Sequence, residues 1–229
     1  MRESTPIRQL KDIYYYPNLN IFSDASTRKG PKNTISACYG VVAVCGDQLI
    51  DSIYKVHNNS NSAMEELRGV RGALELALKH RFEFPVINIF SDSLYSIDSL
   101  RKYPYMWKYD SKNNTYISMS SHKPIKNLSI ITECFMMMEE LNKTNKINIY
   151  YQKGHVSPDG KNGKLKNGLY PFKDNNEIDG TIDINLIRYI SMYNNVVDMN
   201  SRSILMRTDV FKNNYIDGLS FYPIRQYDF

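Results

Sequence analysis

The chain has 229 residues, of which 42% are hydrophobic and 23% charged, with a formal net charge of +5. That length and composition fit one domain with extensions and exclude a disordered chain. The small positive charge permits attraction to a polyanion without requiring one, and no run of 18 apolar residues marks a membrane span, so no membrane partner is expected.

Residues 1–18 are polar and aromatic, without the apolar core of a secretory signal, and read as an N-terminal extension. Leu19 to Asp24 alternates as a short strand ending on a carboxylate. Turn residues at 29–34 lead to an apolar run, Ile35–Val44. Gly46-Asp47 is hairpin chemistry, and Gln48–Val56 alternates as a third strand. Three successive antiparallel strands are expected. Cys38, Cys45 and Cys134 are far apart and form no CxxC pair, which predicts free thiols and a reducing, cytoplasmic setting.

From Ala63 to Lys79 the period becomes helical, with Leu67, Val70, Leu74, Ala77 and Leu78 on one stripe. Val86–Phe90 is a continuous apolar strand, followed by Ser91-Asp92-Ser93 and a helix to about Arg101. Residues 102–124 read as irregular, aromatic and basic; 125–141 as a helix; 146–151 as a fifth strand; 152–190 as loop; and 194–206 as a short last helix. No internal repeat is apparent. The order βββαβααβα predicts a mixed sheet with helices on its faces.

Chemistry concentrates at strand ends. Asp24 in Phe22-Ser23-Asp24 and Asp92 in Phe90-Ser91-Asp92 close two similar segments, and neighbouring strands would bring both carboxylates to one rim. Carboxylates packed together resist ionisation, and a hard divalent cation such as Mg²⁺ or Mn²⁺ relieves that penalty through oxygen ligands. The bland alternative for Asp92 is a helix N-cap. A third acid would come from the following helix. Glu66 falls on the apolar line Val70, Ala73, Ala77, whereas Glu65 falls with Arg68, Gly72 and Lys79, read as a solvated face.

The segment Asn61-Ser-Ala-Met-Glu-Glu66-Leu-Arg-Gly-Val-Arg-Gly-Ala73-Leu74 resembles the catalytic helix of the type 1 ribonuclease H family, in a register that selects Glu66; matching Met64-Glu65 to the family's Met-Glu would select Glu65 instead. Phe22-Ser-Asp24-Ala-Ser and Phe90-Ser-Asp92-Ser resemble its first- and fourth-strand motifs. Trp107-Lys108 and His122-Lys-Pro-Ile-Lys-Asn127 resemble its basic handle, Lys153-Gly154-His155 its histidine loop, and Asn195-Val-Val-Asp198 the start of its last helix. Six such motifs in order, over about residues 19–206, are a specific signal.

The resemblance implies an α/β, ribonuclease H-like fold: a five-stranded mixed sheet, three antiparallel strands then two parallel, flanked by helices. The catalytic domain would span 19–207, with a handle at about 102–126, an insertion at about 157–193 and a C-terminal tail at 208–229. It implies Mg²⁺-dependent endonucleolytic hydrolysis of the RNA strand of an RNA–DNA hybrid, leaving 5′-phosphate and 3′-hydroxyl ends. Two Mg²⁺ ions, or Mn²⁺, would be held by Asp24, Glu66, Asp92 and Asp198, with His155 as a fifth catalytic residue. Asn61, Ser62, Trp107, Lys108, Lys123 and Lys126 would contact nucleic acid. From Arg101 to Lys126 six basic residues stand against one acid, Asp110, with tyrosines interleaved, which suits a phosphate backbone.

Two departures from the family pattern stand out. The stretch 157–193 is longer than the family's loop, which leaves Asp179 and Asp183 as substitutes for Asp198, and its Lys161, Lys164, Lys166 and Lys173 form a second basic run. The polar residues before the catalytic Glu are kept only in part. A monomer is expected, with protein partners unspecified. Alternatives are a DNA nuclease or resolvase on the same fold, a catalytically silent nucleic-acid-binding module, or a domain of a reverse transcriptase polyprotein, against which the Met1 start speaks.

Overall fold

The computed structural model describes residues 7–30, 34–154 and 183–206. A one-turn helix α1 (Lys11–Tyr14) precedes three long strands, β1 (Asn18–Lys29), β2 (Ile35–Cys45) and β3 (Gln48–Asn58). Helix α2 (Ser62–Lys79), strand β4 (Val86–Ser91) and helix α3 (Leu94–Arg101) follow. A two-stranded ribbon, β5 (Trp107–Asp110) and β6 (Thr115–Ser118), leads to α4 (Leu128–Leu141), β7 (Lys146–Tyr151) and α5 (Ile184–Leu205). The main sheet has the order β3-β2-β1-β4-β7: the β1–β2 and β2–β3 pairs are antiparallel, and β1–β4 and β4–β7 parallel. No helix among the described residues is long and apolar enough to cross a membrane.

The three parallel strands carry one repeated pentad. Asn20-Ile21-Phe22-Ser23-Asp24 recurs unchanged as Asn88-Ile89-Phe90-Ser91-Asp92, and Asn148-Ile149-Tyr150-Tyr151-Gln152 varies it. Pairing aligns the three copies without offset: Asn20↔Asn88↔Asn148, Ile21↔Ile89↔Ile149 and Phe22↔Phe90↔Tyr150. Strand alternation then sorts each type into a row. The isoleucines join the core shared with α2, α3 and α4. On the opposite face Phe22, Phe90 and Tyr150 pack under α5, their rings stacked at 4.9 and 5.2 Å. The asparagines form a buried ladder, Asn148 Nδ2 donating to Asn88 Oδ1 at 2.8 Å and Asn88 Nδ2 to Asn20 Oδ1 at 3.0 Å.

The ladder continues into the segment before β1. Asn20 Nδ2 donates to the Ile13 carbonyl at 2.8 Å, and Ile13 is buried beneath the sheet. Thus part of the polar, aromatic N-terminal stretch packs onto the domain.

Two other elements differ from the sequence expectation. The irregular handle contains a 3₁₀ turn (Tyr103–Met106) and the β5–β6 hairpin. Its aromatics alternate too sparsely over four-residue strands for a period to register. The last helix begins at Ile184, ten residues before its expected start, so the end of the basic insertion is helical. Tyr189, Ile190 and Tyr193 on that added stretch are buried on the sheet, and this packing outweighs the modest helix propensity of an Asn- and Tyr-rich sequence. The remainder of the 157–193 insertion, and the 208–229 tail, lie outside the described residues.

Replacing Asn88 by Ala removes three side-chain hydrogen bonds, the one from Asn148 Nδ2 and those to Asn20 Oδ1 and Asn18 Oδ1. At roughly 1 kcal/mol for each, Asn88→Ala is expected to lower unfolding free energy by about 3 kcal/mol in urea titrations. An unchanged midpoint would show that the ladder contributes nothing.

Candidate metal centre and cleft

Asp24 is delivered by a difference in strand length. β1 pairs with β4 only as far as Ser23↔Ser91, but continues beside β2 to Lys29. Asp24 therefore sits where its β4 neighbour has ended, 4% exposed, and its own Oδ1 accepts from the Ala25 amide at 2.7 Å. Asp92 is the first residue beyond β4. It is not the cap of α3: Ser93 takes that role, its Oγ accepting from Ser96 N at 3.2 Å. The bland alternative for Asp92 thus has another occupant.

Glu66 reaches the same rim from near the N-terminus of α2. One ligand oxygen from each of Asp24, Glu66 and Asp92 lies within 4.8 Å of the others. Asp198, on α5, faces the same cleft but stands outside that tight group; its Oδ1 accepts from Ser26 Oγ at 3.1 Å and from Arg202 Nε at 2.8 Å. Close approach of α5 depends on Gly40, the β2 partner of Asp24, where a Cβ would lie 2.6 Å from Ser201 Oγ and 2.5 Å from the Tyr54 ring. The cleft holds about 470 Å³, with Ser62, Arg28 and Arg202 on its walls.

Burial pushes the Asp24 carboxyl up to about 8, with the charges of Asp92 and Asp198 adding to the shift. Burial pushes Glu66 up to about 10, with Asp24 and then Asp92 adding. Crowded carboxylates thus hold protons that free ones release. Glu66 Oε2 is also buried without a hydrogen-bond partner among the described residues. A hard divalent cation fits both observations, since it takes oxygen ligands, supplies positive charge and satisfies the orphaned oxygen.

Glu65 requires a correction. It is fully buried, not solvated, and Ser60 Oγ (2.6 Å), His57 Nδ1 (2.8 Å) and the Arg68 guanidinium all contact its carboxylate. The line it shares with Gly69 and Gly72 looks polar in sequence. These glycines let α2 sink onto β2, where Tyr39 and Val41 lie against Gly72, and the end of β3 closes over Glu65. Its partners turn it away from the carboxylate cluster, so the register selecting Glu66 is the one the fold brings to the cleft.

The other expected residues divide. Asn61 caps α2, accepting from Met64 N at 3.0 Å, and Ser62 lines the cleft. Trp107 is half-buried against the core, whereas Lys108, Lys123 and Lys126 are exposed around the hairpin. Asp183 caps α5 through Asn185 N and accepts from Leu10 N, so it is engaged elsewhere. Asp179 and His155 lie outside the described residues. Gly154, missed in sequence as more than part of a motif, presses on the site: a Cβ there would fall 2.0 Å from Asp92 Oδ2. Free cysteines are as expected, Cys38 and Cys134 buried and Cys45 partly so.

Two outcomes follow. Asp24 and Glu66 bind protons more tightly folded than unfolded, so the metal-free protein should lose stability as pH rises from about 4 towards 8–10. Scanning calorimetry in EDTA should show that fall, and stabilisation by added Mg²⁺ should grow over the same range; a pH-independent increment would contradict it. Separately, Gly154→Ala should displace Asp92 and weaken Mg²⁺ stabilisation while changing the metal-free melting temperature by only a few degrees, about 1 kcal/mol.

The ribonuclease H family model matches residues 17–167, more than half of the chain. No curated protein matches it. Among solved structures, the protease–reverse transcriptase of prototype foamy virus is similar at 18% identity and a TM-score of 0.56, over 91% of this chain and 23% of that one. This chain therefore spans about a quarter of that relative. The PFV RNase H domain in solution is similar at 19% identity and a TM-score of 0.47, over 78% and 94% of the two chains. RNase H1 from the archaeon Halobacterium salinarum is similar at 17% identity and 0.40, over 59% and 86%. With its strand order and its family match in agreement, the chain belongs to the ribonuclease H family and has the ribonuclease H-like fold.

Proposed function

We propose that the protein is a divalent-metal-dependent endonuclease that hydrolyses the RNA strand of an RNA–DNA hybrid, leaving 5′-phosphate and 3′-hydroxyl ends. The observation that carries this reading is the convergence of Asp24, Glu66 and Asp92 from three elements around a buried, unpartnered Glu66 oxygen. Asp24, Glu66 and Asp92, with Asp198 across the cleft, would hold two Mg²⁺ ions, Mn²⁺ serving as well. When bound, such ions acidify an attacking water and offset charge on the departing 3′-oxygen of an in-line displacement.

The chain's own groups would hold and orient the substrate. Ser62, beside the cleft at the start of α2, offers a hydroxyl to a sugar, and Asn61 offers its amide nitrogen while its oxygen caps the helix. Discrimination of RNA from DNA rests on contacts with the 2′-hydroxyl, which these short polar side chains suit. Lys108, Lys123 and Lys126 would follow the phosphate backbone, and the exposed rings of Tyr105, Tyr109 and Tyr116 give stacking or sugar-packing surface. Trp107, held against the core, would anchor the hairpin that presents them. His155, next in sequence after Gly154, would shuttle a proton or help release product. Residues 19–207 would form the catalytic unit, acting as a monomer in the cytoplasm.

The test is cleavage of end-labelled RNA–DNA hybrid, duplex DNA and duplex RNA with Mg²⁺ and then EDTA. Only the hybrid should be cut, in its RNA strand, and only with metal; cutting of duplex DNA would favour a DNA nuclease on this fold. Asp92→Asn should reduce hybrid cleavage by at least roughly 10³-fold and leave hybrid binding intact. Retained Mg²⁺-dependent cleavage in that variant would exclude the site.

A further inference from the structure

The third copy of the pentad ends differently from the other two. Where the β1 and β4 copies end on Asp24 and Asp92, the β7 copy ends on Gln152. Register runs Ser91↔Tyr151, and the Gln152 amide donates to the Ser91 carbonyl at 3.0 Å, so Gln152 stands beside Asp92 on the adjacent strand, on the same face by strand alternation. The turn that follows returns at once to that carboxylate, with Gly154 against Asp92 Oδ2.

Gln152 is 1% exposed, and neither its amide nitrogen nor its amide oxygen has a hydrogen-bond partner among the described residues. Burying an amide without partners is unfavourable, and Leu or Met would fill the same space without that cost. The pentad's asparagines, four residues earlier on each strand, are by contrast linked in a ladder from Asn148 through Asn88 to Asn20. An amide kept unpaired beside a metal-ligand candidate points to a hydrogen bond that forms when the cation binds. An amide is suited to this place: it can donate to a carboxylate without adding a further negative charge to a cluster already crowded with them.

We propose that Gln152 is the positioning residue for Asp92, its side-chain amide donating to the Asp92 carboxylate once a divalent cation is bound and so fixing the orientation of that ligand. This inference rests on the metal-site reading of Asp24, Glu66 and Asp92. Outer hydrogen bonds of this kind hold a ligand's rotamer and typically change metal affinity or activity by about 10–100-fold when removed.

The test uses the full chain, with Mn²⁺ as the probe and no nucleic acid present. Isothermal titration of Gln152→Leu and Gln152→Met should give an Mn²⁺ dissociation constant raised roughly ten-fold, while their melting temperatures in EDTA equal or exceed that of the unaltered protein because an unpaired buried amide has been removed. Gln152→Glu, which restores a carboxylate to the pentad, should instead tighten Mn²⁺ binding and lower stability in EDTA. Affinities within about two-fold of the unaltered protein in both apolar variants would overturn the role of Gln152. So would a loss of metal-free stability in both, which would make the amide a structural group. Absence of Mn²⁺ binding by the unaltered protein would instead overturn the metal-site reading itself, and hybrid cleavage assays address the substrate separately.

Discussion

Like charges cannot be gathered in a partly buried place unless something compels them, and here the compulsion is the register between β1 and β4. Two identical pentads lie side by side with no offset, so the isoleucines share one core, the phenylalanines stack on the other face and the aspartates come out together. A shift of one residue would invert every one of those assignments. A shift of two would pair Asn with Phe and draw the acids apart by a full pleat. The burial of apolar side chains on both faces of the sheet therefore enforces an arrangement that the carboxylates alone would resist, and the raised proton affinity of Asp24 and Glu66 is the electrostatic trace of that conflict.

The rest of the site is arranged around this pair by close backbone approach. Gly69 and Gly72 let α2 settle on β2 and bring Glu66 over the rim, Gly40 admits α5 with Asp198, and Gly154 lets the turn after β7 press on Asp92. The neighbouring Glu65 is committed to a buried network with His57, Ser60 and Arg68, so adjacent acids on one helix turn face different tasks: one fixes the helix start, the other is presented to the cleft.

Much of this was legible in the sequence. Alternation and apolar runs placed the five sheet strands, and helical period placed α2, because burial on a sheet face writes a simple pattern into the chain. The two Phe-Ser-Asp segments marked the acids, and the ordered motifs marked the family. The solvated reading of Glu65 failed because glycine scores as neither polar nor apolar, while its missing side chain is what lets a helix face become buried. The hairpin in the handle was hidden by strands of four residues, and the early start of α5 by a composition rich in Asn and Tyr, whose burial depends on a sheet distant in sequence. The full pentad and its third copy were also readable, but their meaning depends on strands β1, β4 and β7 being neighbours, which only topology reveals.

The N-terminal segment has a consequence for how the protein is divided. Arg8 accepts from the backbone of Asp183, Asp183 accepts from Leu10, and Tyr14 packs edge-on against Tyr189. Residues 8–14 therefore act as a clasp on the first turns of α5, the helix that carries Asp198 some 15 residues further along. A fragment trimmed to begin at the first strand would keep every acidic side chain of the cleft yet release the far end of the lever that holds one of them.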